Sequence, residues 1–161
     1  MLLTIEKVII LKSVGIFSQI PDESLVEVAS LVEEEDVKAG KEILKKGDIG
    51  TAMYIIVEGR VRVHDEDEVL MELSAWEVFG ELAALDPEPR SASVTAVEDS
   101  YLFRMERTAL YELIGQHTDV ARGIIHVLCQ RIRASDLLLK AGRQKGEGEV
   151  PARGSAHAAG R

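Results

Sequence analysis

The chain has 161 residues, of which 46% are hydrophobic and only 4% are aromatic, so it is long enough for one domain with an aliphatic core. Residues 1–130 carry 12 basic and 25 acidic residues, whereas residues 131–161 carry 7 basic and 3 acidic residues. Because an acidic body repels a phosphate backbone, this distribution argues against nucleic-acid binding by the domain itself.

Cysteine content and hydropathy restrict the compartment and the kinds of site. Cys129 is the only cysteine, which excludes an intrachain disulfide and a cysteine metal cluster and fits a reducing compartment. No secretory leader pattern opens the chain, and no uncharged apolar window is long enough to span a membrane. We therefore expect a cytoplasmic protein with no membrane segment in this chain.

The periodicity of apolar residues predicts helices at both ends and strands between them. Helices are predicted over residues 2–13, from Pro21 to about Val32, over 107–114 and from about 118 to 140. From Glu34, β-branched runs alternate with glycines at spacings of roughly 8–12 residues, which is typical of a small antiparallel barrel or roll. The predicted class is α+β, mainly β: an antiparallel β-roll or jelly roll flanked by an N-terminal helical segment and a long C-terminal helix. The predicted strands lie near Val37, Ile43–Leu44, Met53–Val57, Val61–Val63, Val69–Leu73, Val94–Val97 and Tyr101–Phe103.

The C-terminal helix carries more apolar positions than a small roll can cover. We expect it to pack partly on the roll and partly on a partner or a second copy, so that a homodimer through this helix is an open alternative to plain core packing. After Lys140 the chain is polar and loses its apolar period. The prediction is a domain over residues 1–140 and a disordered polar tail over 141–161. The stripe comprises Val120, Ile124, Val127, Leu128, Ile132, Leu138 and Leu139.

The segment from Phe79 to Val94, FGELAALDPEPRSASV, has the features of an anion site. Gly80 lets the backbone turn sharply and approach a ligand, and the good helix formers after it can extend only one turn before the prolines. A helix start offers free N–H groups, and the planar guanidinium of Arg90 matches a phosphate. Ser91 adds a hydroxyl, while the carboxylate of Glu81 suits a sugar hydroxyl better than an anion. Together these features suggest a ribose phosphate.

The two motifs Phe79-Gly80-Glu81-Leu82-Ala83 and Pro89-Arg90-Ser91-Ala92-Ser93 resemble the phosphate-binding cassette of cyclic-nucleotide-binding domains, with matching spacing. The resemblance extends upstream through the glycine-punctuated runs 40–50 and 54–63 and covers about residues 2–140. It implies a ligand-sensing module rather than an enzyme, with no catalytic residues and no cofactor. Cyclic AMP is the expected ligand and cyclic GMP the alternative, because a serine at position 91 is compatible with either.

The resemblance also implies the role of each site residue. Arg90 would pair with the exocyclic phosphate, Glu81 would accept from the ribose 2′-hydroxyl, and Ser91 with main-chain N–H groups would complete the phosphate cage. The implied ligand-binding set is Gly80, Glu81, Leu82, Ala83, Arg90, Ser91 and Ala92. The C-terminal helix would cover the base, and its candidates are Leu128, Arg131, Ile132 and Ser135.

Other functions are weaker alternatives. The scattered histidines and the acidic runs 33–36 and 65–68 lack the spacing of a metal site. A ligand-free interaction or oligomerisation domain of the same fold is the main alternative to a sensor. A truncated transcription factor is a third hypothesis, which the acidic charge and the lack of a DNA-binding segment count against. The expected partners are a cyclic nucleotide and an effector protein or fused domain that the sequence does not name.

Overall fold

The computed structural model describes residues 1–80, 84–86 and 88–147, which form four α-helices, one 3-10 turn and eight β-strands. The chain divides into two compact units, Met1–Ile125 and a second unit that begins at His126. In chain order the elements are α1 (Thr4–Lys12), the 3-10 turn (Gly15–Phe17), α2 (Asp22–Leu31), β1 (Glu33–Val37), β2 (Glu42–Leu44), β3 (Ala52–Glu58), β4 (Arg60–Asp65), β5 (Glu68–Ser74), β6 (Val78–Phe79), β7 (Ser93–Ala96), β8 (Ser100–Glu106), α3 (Arg107–Gln116) and α4 (Thr118–Glu147).

The strands form two antiparallel four-stranded sheets. One has the order β1-β8-β3-β6 and the other β2-β7-β4-β5. The predicted β-roll flanked by helices is therefore confirmed. The two-residue strand β6 escaped prediction, because so short a run carries no periodic signal of its own. It is defined only by its pairing with β3, where Phe79 lies opposite Tyr54 and Val78 lies opposite Ile55.

Strand β3 is buried on both faces, which explains its nearly continuous apolar sequence AMYIIVE. Met53 and Ile55, which alternate with the residues that face the inter-sheet core, are also fully buried. α3 contacts the neighbouring strand β8. The inter-sheet core consists of Val37, Leu44, Ala52, Tyr54, Ile56, Val61, Leu73, Phe79, Val94, Ala96 and Leu102.

The first part of α4 packs closely on the 3-10 turn. A Cβ on Gly123 would lie 2.7 Å from the carbonyl oxygen of Ile16, so only glycine permits this approach. Val120 and Ile124 of the same stretch are buried. In the unit that begins at His126, by contrast, the helix exposes Ile132, Leu138 and Leu139. The stripe that the sequence singled out is thus covered in its first turns and exposed afterwards.

The helix α4 continues to Glu147, beyond the predicted domain limit at residue 140. Residues 141–147 are helical, and residues 148–161 lie outside the described residues, so the domain limit and the disordered tail stay predictions.

The N-terminal segment is fastened to the first sheet through Glu34. The carboxylate of Glu34 accepts hydrogen bonds from the Tyr101 hydroxyl and, at 2.6 Å, from the main-chain N–H of Leu2, and the ammonium of Lys7 lies 3.8 Å away. These contacts, led by the Tyr101 hydroxyl, lower the pKa of Glu34 from its ordinary value of 4.5. Burial, followed by the hydrogen bond to Glu34, raises the pKa of Tyr101.

The contacts of the Glu34 carboxylate predict that the stability of the fold depends on pH. A carboxyl group whose folded-state pKa is depressed stabilises the fold above its unfolded-state pKa, and this contribution disappears as the pH falls through the folded value. We expect Glu34→Gln to lower the thermal midpoint by a few degrees at pH 7 and by progressively less below pH 4.5. Glu35→Gln is the control, because the surface ion pair between Glu35 and Lys41 contributes little to the stability of the fold. A Glu34→Gln deficit that is constant with pH contradicts the prediction.

Candidate functional site

Gly80 directly follows β6, the short strand that pairs with β3. The rings of Phe79 and Tyr54 stack with centroids 5.1 Å apart and fix the end of β6. Gly80 has a φ of +79°, and a Cβ there would lie 3.0 Å from both the carbonyl oxygen of Ala52 and Nη1 of Arg90. The position therefore needs glycine for its left-handed backbone and for its close approach to these neighbours.

The main chain of Arg90 is paired with the turn between β2 and β3. Its N–H donates to the carbonyl of Asp48 at 2.9 Å, and its carbonyl accepts from the N–H of Gly47 at 2.9 Å. Pro89 forms an isolated antiparallel bridge with Ile49. This short ladder sets where the Arg90 side chain starts and in which direction it leaves the backbone.

The guanidinium of Arg90 is buried, with 9% of the residue exposed. Nη2 donates to the carbonyl of Ala52 at 3.0 Å, and Nη1 lies 3.5 Å from the carbonyl of Gly80. A Cβ on Gly50 would overlap the guanidinium group, so the bare backbone of Gly50 makes room for it. The planar cation is thereby held between the start of β3 and the end of β6.

The residues around Arg90 differ in their access to solvent. Ser91 is exposed, Ala92 is partly buried, and the buried hydroxyl of Ser93 accepts a hydrogen bond from the N–H of Lys46 at 2.9 Å. The two carboxylates of the preceding loop, Asp86 and Glu88, are exposed.

The structure brings Gly80 and Arg90, ten positions apart in the chain, close together, and their role in binding an anion stays a prediction. Three members of the predicted set, Glu81, Leu82 and Ala83, lie outside the described residues, so their roles stay predictions. The base-contact candidates belong to the unit that begins at His126. Leu128 and Arg131 are partly buried there and Ile132 and Ser135 are exposed, with the Ser135 hydroxyl donating to the Arg131 carbonyl at 3.1 Å.

Several residues that shape the site were not predicted as functional. Gly50 and Ala52 act through backbone, and Arg107 at the start of α3 donates to the carbonyls of Gly50 and Ala84. A main-chain carbonyl has no residue-type signature, so no sequence pattern could have revealed its role. The only available signals were the glycine at position 50 and a lone cation at the start of a helix.

This arrangement suits an oxyanion with two oxygens in one plane. A guanidinium presents parallel N–H donors to such a group, and its fixed orientation lowers the entropy lost on binding. No set of three or more His, Cys, Asp or Glu side chains in the described ranges is placed to hold a metal ion. None of the helices in the same part of the chain has the length and hydropathy needed to cross a membrane.

Comparisons with known proteins agree on one family. The cyclic nucleotide-binding domain model matches residues 34–117. The cyclic AMP receptor protein of Thermus thermophilus is 37% identical over 105 residues, covering 62% of this chain and 49% of the relative. A CRP-like cAMP-activated global transcriptional regulator of Mycobacterium tuberculosis is 26% identical over 132 residues, covering 79% of this chain and 59% of the relative.

A solved structure supports the same assignment. The Thermus thermophilus catabolite activator protein superposes with a TM-score of 0.72 at 32% identity, over 79% of this chain and 62% of that one. The chain spans only 59% and 49% of the length of the Mycobacterium tuberculosis and Thermus thermophilus relatives, respectively. Both the matched residues and the sheet architecture lead to one conclusion. The chain belongs to the cyclic nucleotide-binding domain family.

Proposed function

We propose that this chain is a regulatory sensor module that binds cyclic AMP and passes the binding event to an effector through its C-terminal helix. The observation that carries the proposal is the buried guanidinium of Arg90, held by the main chain of Ala52 and Gly80 within the segment that resembles the family's phosphate-binding cassette. Its role is binding rather than catalysis, and the nucleotide is a ligand rather than a cofactor. We propose the cytoplasm as its compartment, since its lone cysteine suits reducing conditions.

Within this proposal each site residue has one task. Arg90 neutralises the exocyclic phosphate oxygens, and Glu81 accepts from the ribose 2′-hydroxyl. Ser91 and the N–H groups of Ala83 and Ala92 complete the phosphate cage. Gly80 lets the main chain close on the ribose. Ser91 is exposed, so its hydroxyl is accessible to a ligand from solvent.

Cyclic AMP is preferred over cyclic GMP in this proposal. The two relatives described above are a cyclic AMP receptor protein and a cAMP-activated regulator, and Ser91 is compatible with that ligand. Thermal melts with cyclic AMP, cyclic GMP and 5′-AMP test it, since a ligand that binds only the folded state raises the midpoint according to its affinity. We expect the largest rise with cyclic AMP and the smallest with 5′-AMP. Equal rises with all three contradict a cyclic-nucleotide site.

The exposed part of α4 supports a partner surface. Ile132 and Leu139, both in the unit that begins at His126, are exposed and lie seven residues apart, which is the period of a coiled-coil seam. We propose that two copies pair along this seam and that an effector protein or fused domain receives the signal from the helix. The same seam also serves the alternative function, a ligand-free oligomerisation domain, which differs by showing no nucleotide-dependent shift.

A charge introduced into the seam tests the proposed dimer. Ile132→Glu is expected to convert a dimer into a monomer in sedimentation velocity experiments, because a carboxylate in an apolar seam loses its hydration. Gln130→Glu adds the same charge at an exposed position outside the seven-residue series and is expected to stay dimeric. A wild-type monomer, or an Ile132→Glu dimer of unchanged affinity, rules out this seam.

A further inference from the structure

We infer that Arg107, assisted by Tyr111, is a positioning residue for the nucleotide site: it holds the helical residues Ala84 and Leu85, which lie between Gly80 and Arg90 in the chain, against the start of β3. This inference rests on the proposed function, because it concerns the geometry of the same site. Arg107 does not need to touch the nucleotide for this role. It acts on the backbone that carries Gly80 and Arg90.

The contacts of Arg107 join three parts of the chain. From the first position of α3, Nε donates to the carbonyl of Ala84 at 3.1 Å, and Nη2 donates to the carbonyl of Gly50 at 2.9 Å. The main-chain N–H of Arg107 also donates to the carbonyl of Thr51, at 2.6 Å. One residue therefore binds both the segment that follows Gly80 and the stretch that leads into β3.

Tyr111 makes a parallel contact one helical turn later. Its hydroxyl donates to the carbonyl of Leu85. Ala84 and Leu85 are helical, and Asp86, which follows them, forms a bend. The carbonyls at the end of a helix have no N–H groups from a following turn, so they need donors from elsewhere. α3 supplies these donors through Arg107 and Tyr111.

The same contacts reach Arg90 indirectly. Gly50, whose carbonyl Arg107 binds, lies directly against the Arg90 guanidinium. The carbonyl of Ala52, two residues further along, accepts from Nη2 of Arg90. On the other side, the N–H of Ala84 donates to the carbonyl of Gly80 at 3.2 Å. Arg107 thus fixes the distance between the two backbone stretches that hold Arg90.

The expected consequence is a change in nucleotide affinity. A site that is formed only part of the time binds its ligand more weakly by the fraction that is competent. Removing the Arg107 donors lowers that fraction, and we expect Arg107→Gln to raise the Kd for cyclic AMP about tenfold. Tyr111→Phe removes a single neutral hydrogen bond and should raise the Kd by about threefold.

The test compares four full-length variants with the wild type by calorimetric titration with cyclic AMP. Arg107→Gln removes the charged fork and keeps most of the aliphatic stem, whereas Arg107→Lys keeps the charge and one donor group without the planar geometry. Tyr111→Phe is conservative enough to fold if Arg107→Gln does not. Arg60→Gln is the matched control, because the described ion pairs of the half-exposed Arg60 guanidinium are with Glu72 and Glu98 on the surface of the roll.

Amide hydrogen exchange of the nucleotide-free chains provides a second readout that is specific to positioning. We expect faster exchange of a peptide spanning 84–92 in Arg107→Gln, with the β4–β5 hairpin unchanged, since Arg107 does not contact the hairpin in the described structure. We also expect Arg107→Lys to bind with an affinity between those of wild type and Arg107→Gln. A purely structural role would speed exchange in both regions and give equal affinities for the Lys and Gln variants, which would overturn the inference.

The remaining outcomes separate the two proposals. If the wild type binds cyclic AMP while Arg107→Gln and Tyr111→Phe bind within twofold of it, the positioning role is wrong and the proposed function stands. If the wild type fails to bind any cyclic nucleotide, the proposed function fails and the positioning role fails with it.

Discussion

Replacement of Arg90 by alanine is expected to weaken cyclic AMP binding by about 10²–10⁴-fold, because a charged hydrogen bond is worth about 1.5–3 kcal/mol and the guanidinium can make two to one phosphate. The guanidinium is buried and held by the carbonyls of Ala52 and Gly80, so alanine removes donors that the fold keeps in a fixed position. Calorimetric titration of the variant with cyclic AMP measures the loss.

Two variants make the Arg90 result specific. Arg62→Ala removes an exposed arginine from β4 and is expected to bind like the wild type. Arg90→Lys keeps the positive charge without the planar fork, and it should bind with an affinity between those of wild type and Arg90→Ala. A thermal melt of each variant shows that the fold persists. Undiminished binding by a folded Arg90→Ala chain would mean that the phosphate is bound elsewhere.

Replacement of Gly50 by alanine is expected to separate affinity from stability. The new Cβ would overlap the Arg90 guanidinium and push it away from the Ala52 carbonyl, so the affinity for cyclic AMP should fall by about 10–100-fold. The displaced group is the end of a flexible side chain, and Gly50 is not among the glycines with positive φ. Alanine also reduces the entropy of the unfolded chain, so the free energy of unfolding should change by less than about 1 kcal/mol.

The control for Gly50 is a glycine with space around it. A Cβ on Gly115, within α3, would meet no atom within 4 Å. Gly115→Ala should therefore keep full affinity and stabilise its helix by about 1 kcal/mol. Parallel titrations and denaturant unfolding curves give both quantities for each variant. A Gly50→Ala chain that binds normally would show that Arg90 does not need its observed position.

The sequence predicted those features that residue type and period reveal. Strand β3 was predicted from its apolar run. Arg90 was singled out because it is an arginine that follows Gly80 and a short helix-forming stretch. The paired main chains of Arg90 and Asp48 could not be predicted in the same way, because hydrogen bonds between peptide groups are independent of side-chain identity. The glycine at position 50 was visible as a turn residue, but its contact with Arg90 depends on tertiary structure.

The functions of the helices were also only partly predictable from the sequence. The apolar stripe of α4 predicted a surface for a partner; Val120 is buried and Leu138 is exposed, and what covers the exposed part stays a proposal. The only sequence signal for the role of Arg107 was a cation at the start of a helix. A basic residue at the start of a helix is disfavoured by the helix dipole, and its use became clear only from the carbonyls of Gly50 and Ala84.

Calorimetric titration of the full wild-type chain with cyclic AMP tests the central claim most directly. We expect saturable binding with one nucleotide per chain and a Kd in the micromolar range or tighter, accompanied by a rise in the thermal midpoint. No heat of binding and no thermal shift at millimolar cyclic AMP or cyclic GMP would contradict the sensor function. That result would leave a ligand-free domain of the same fold, whose activity would then lie in the exposed seam of its C-terminal helix.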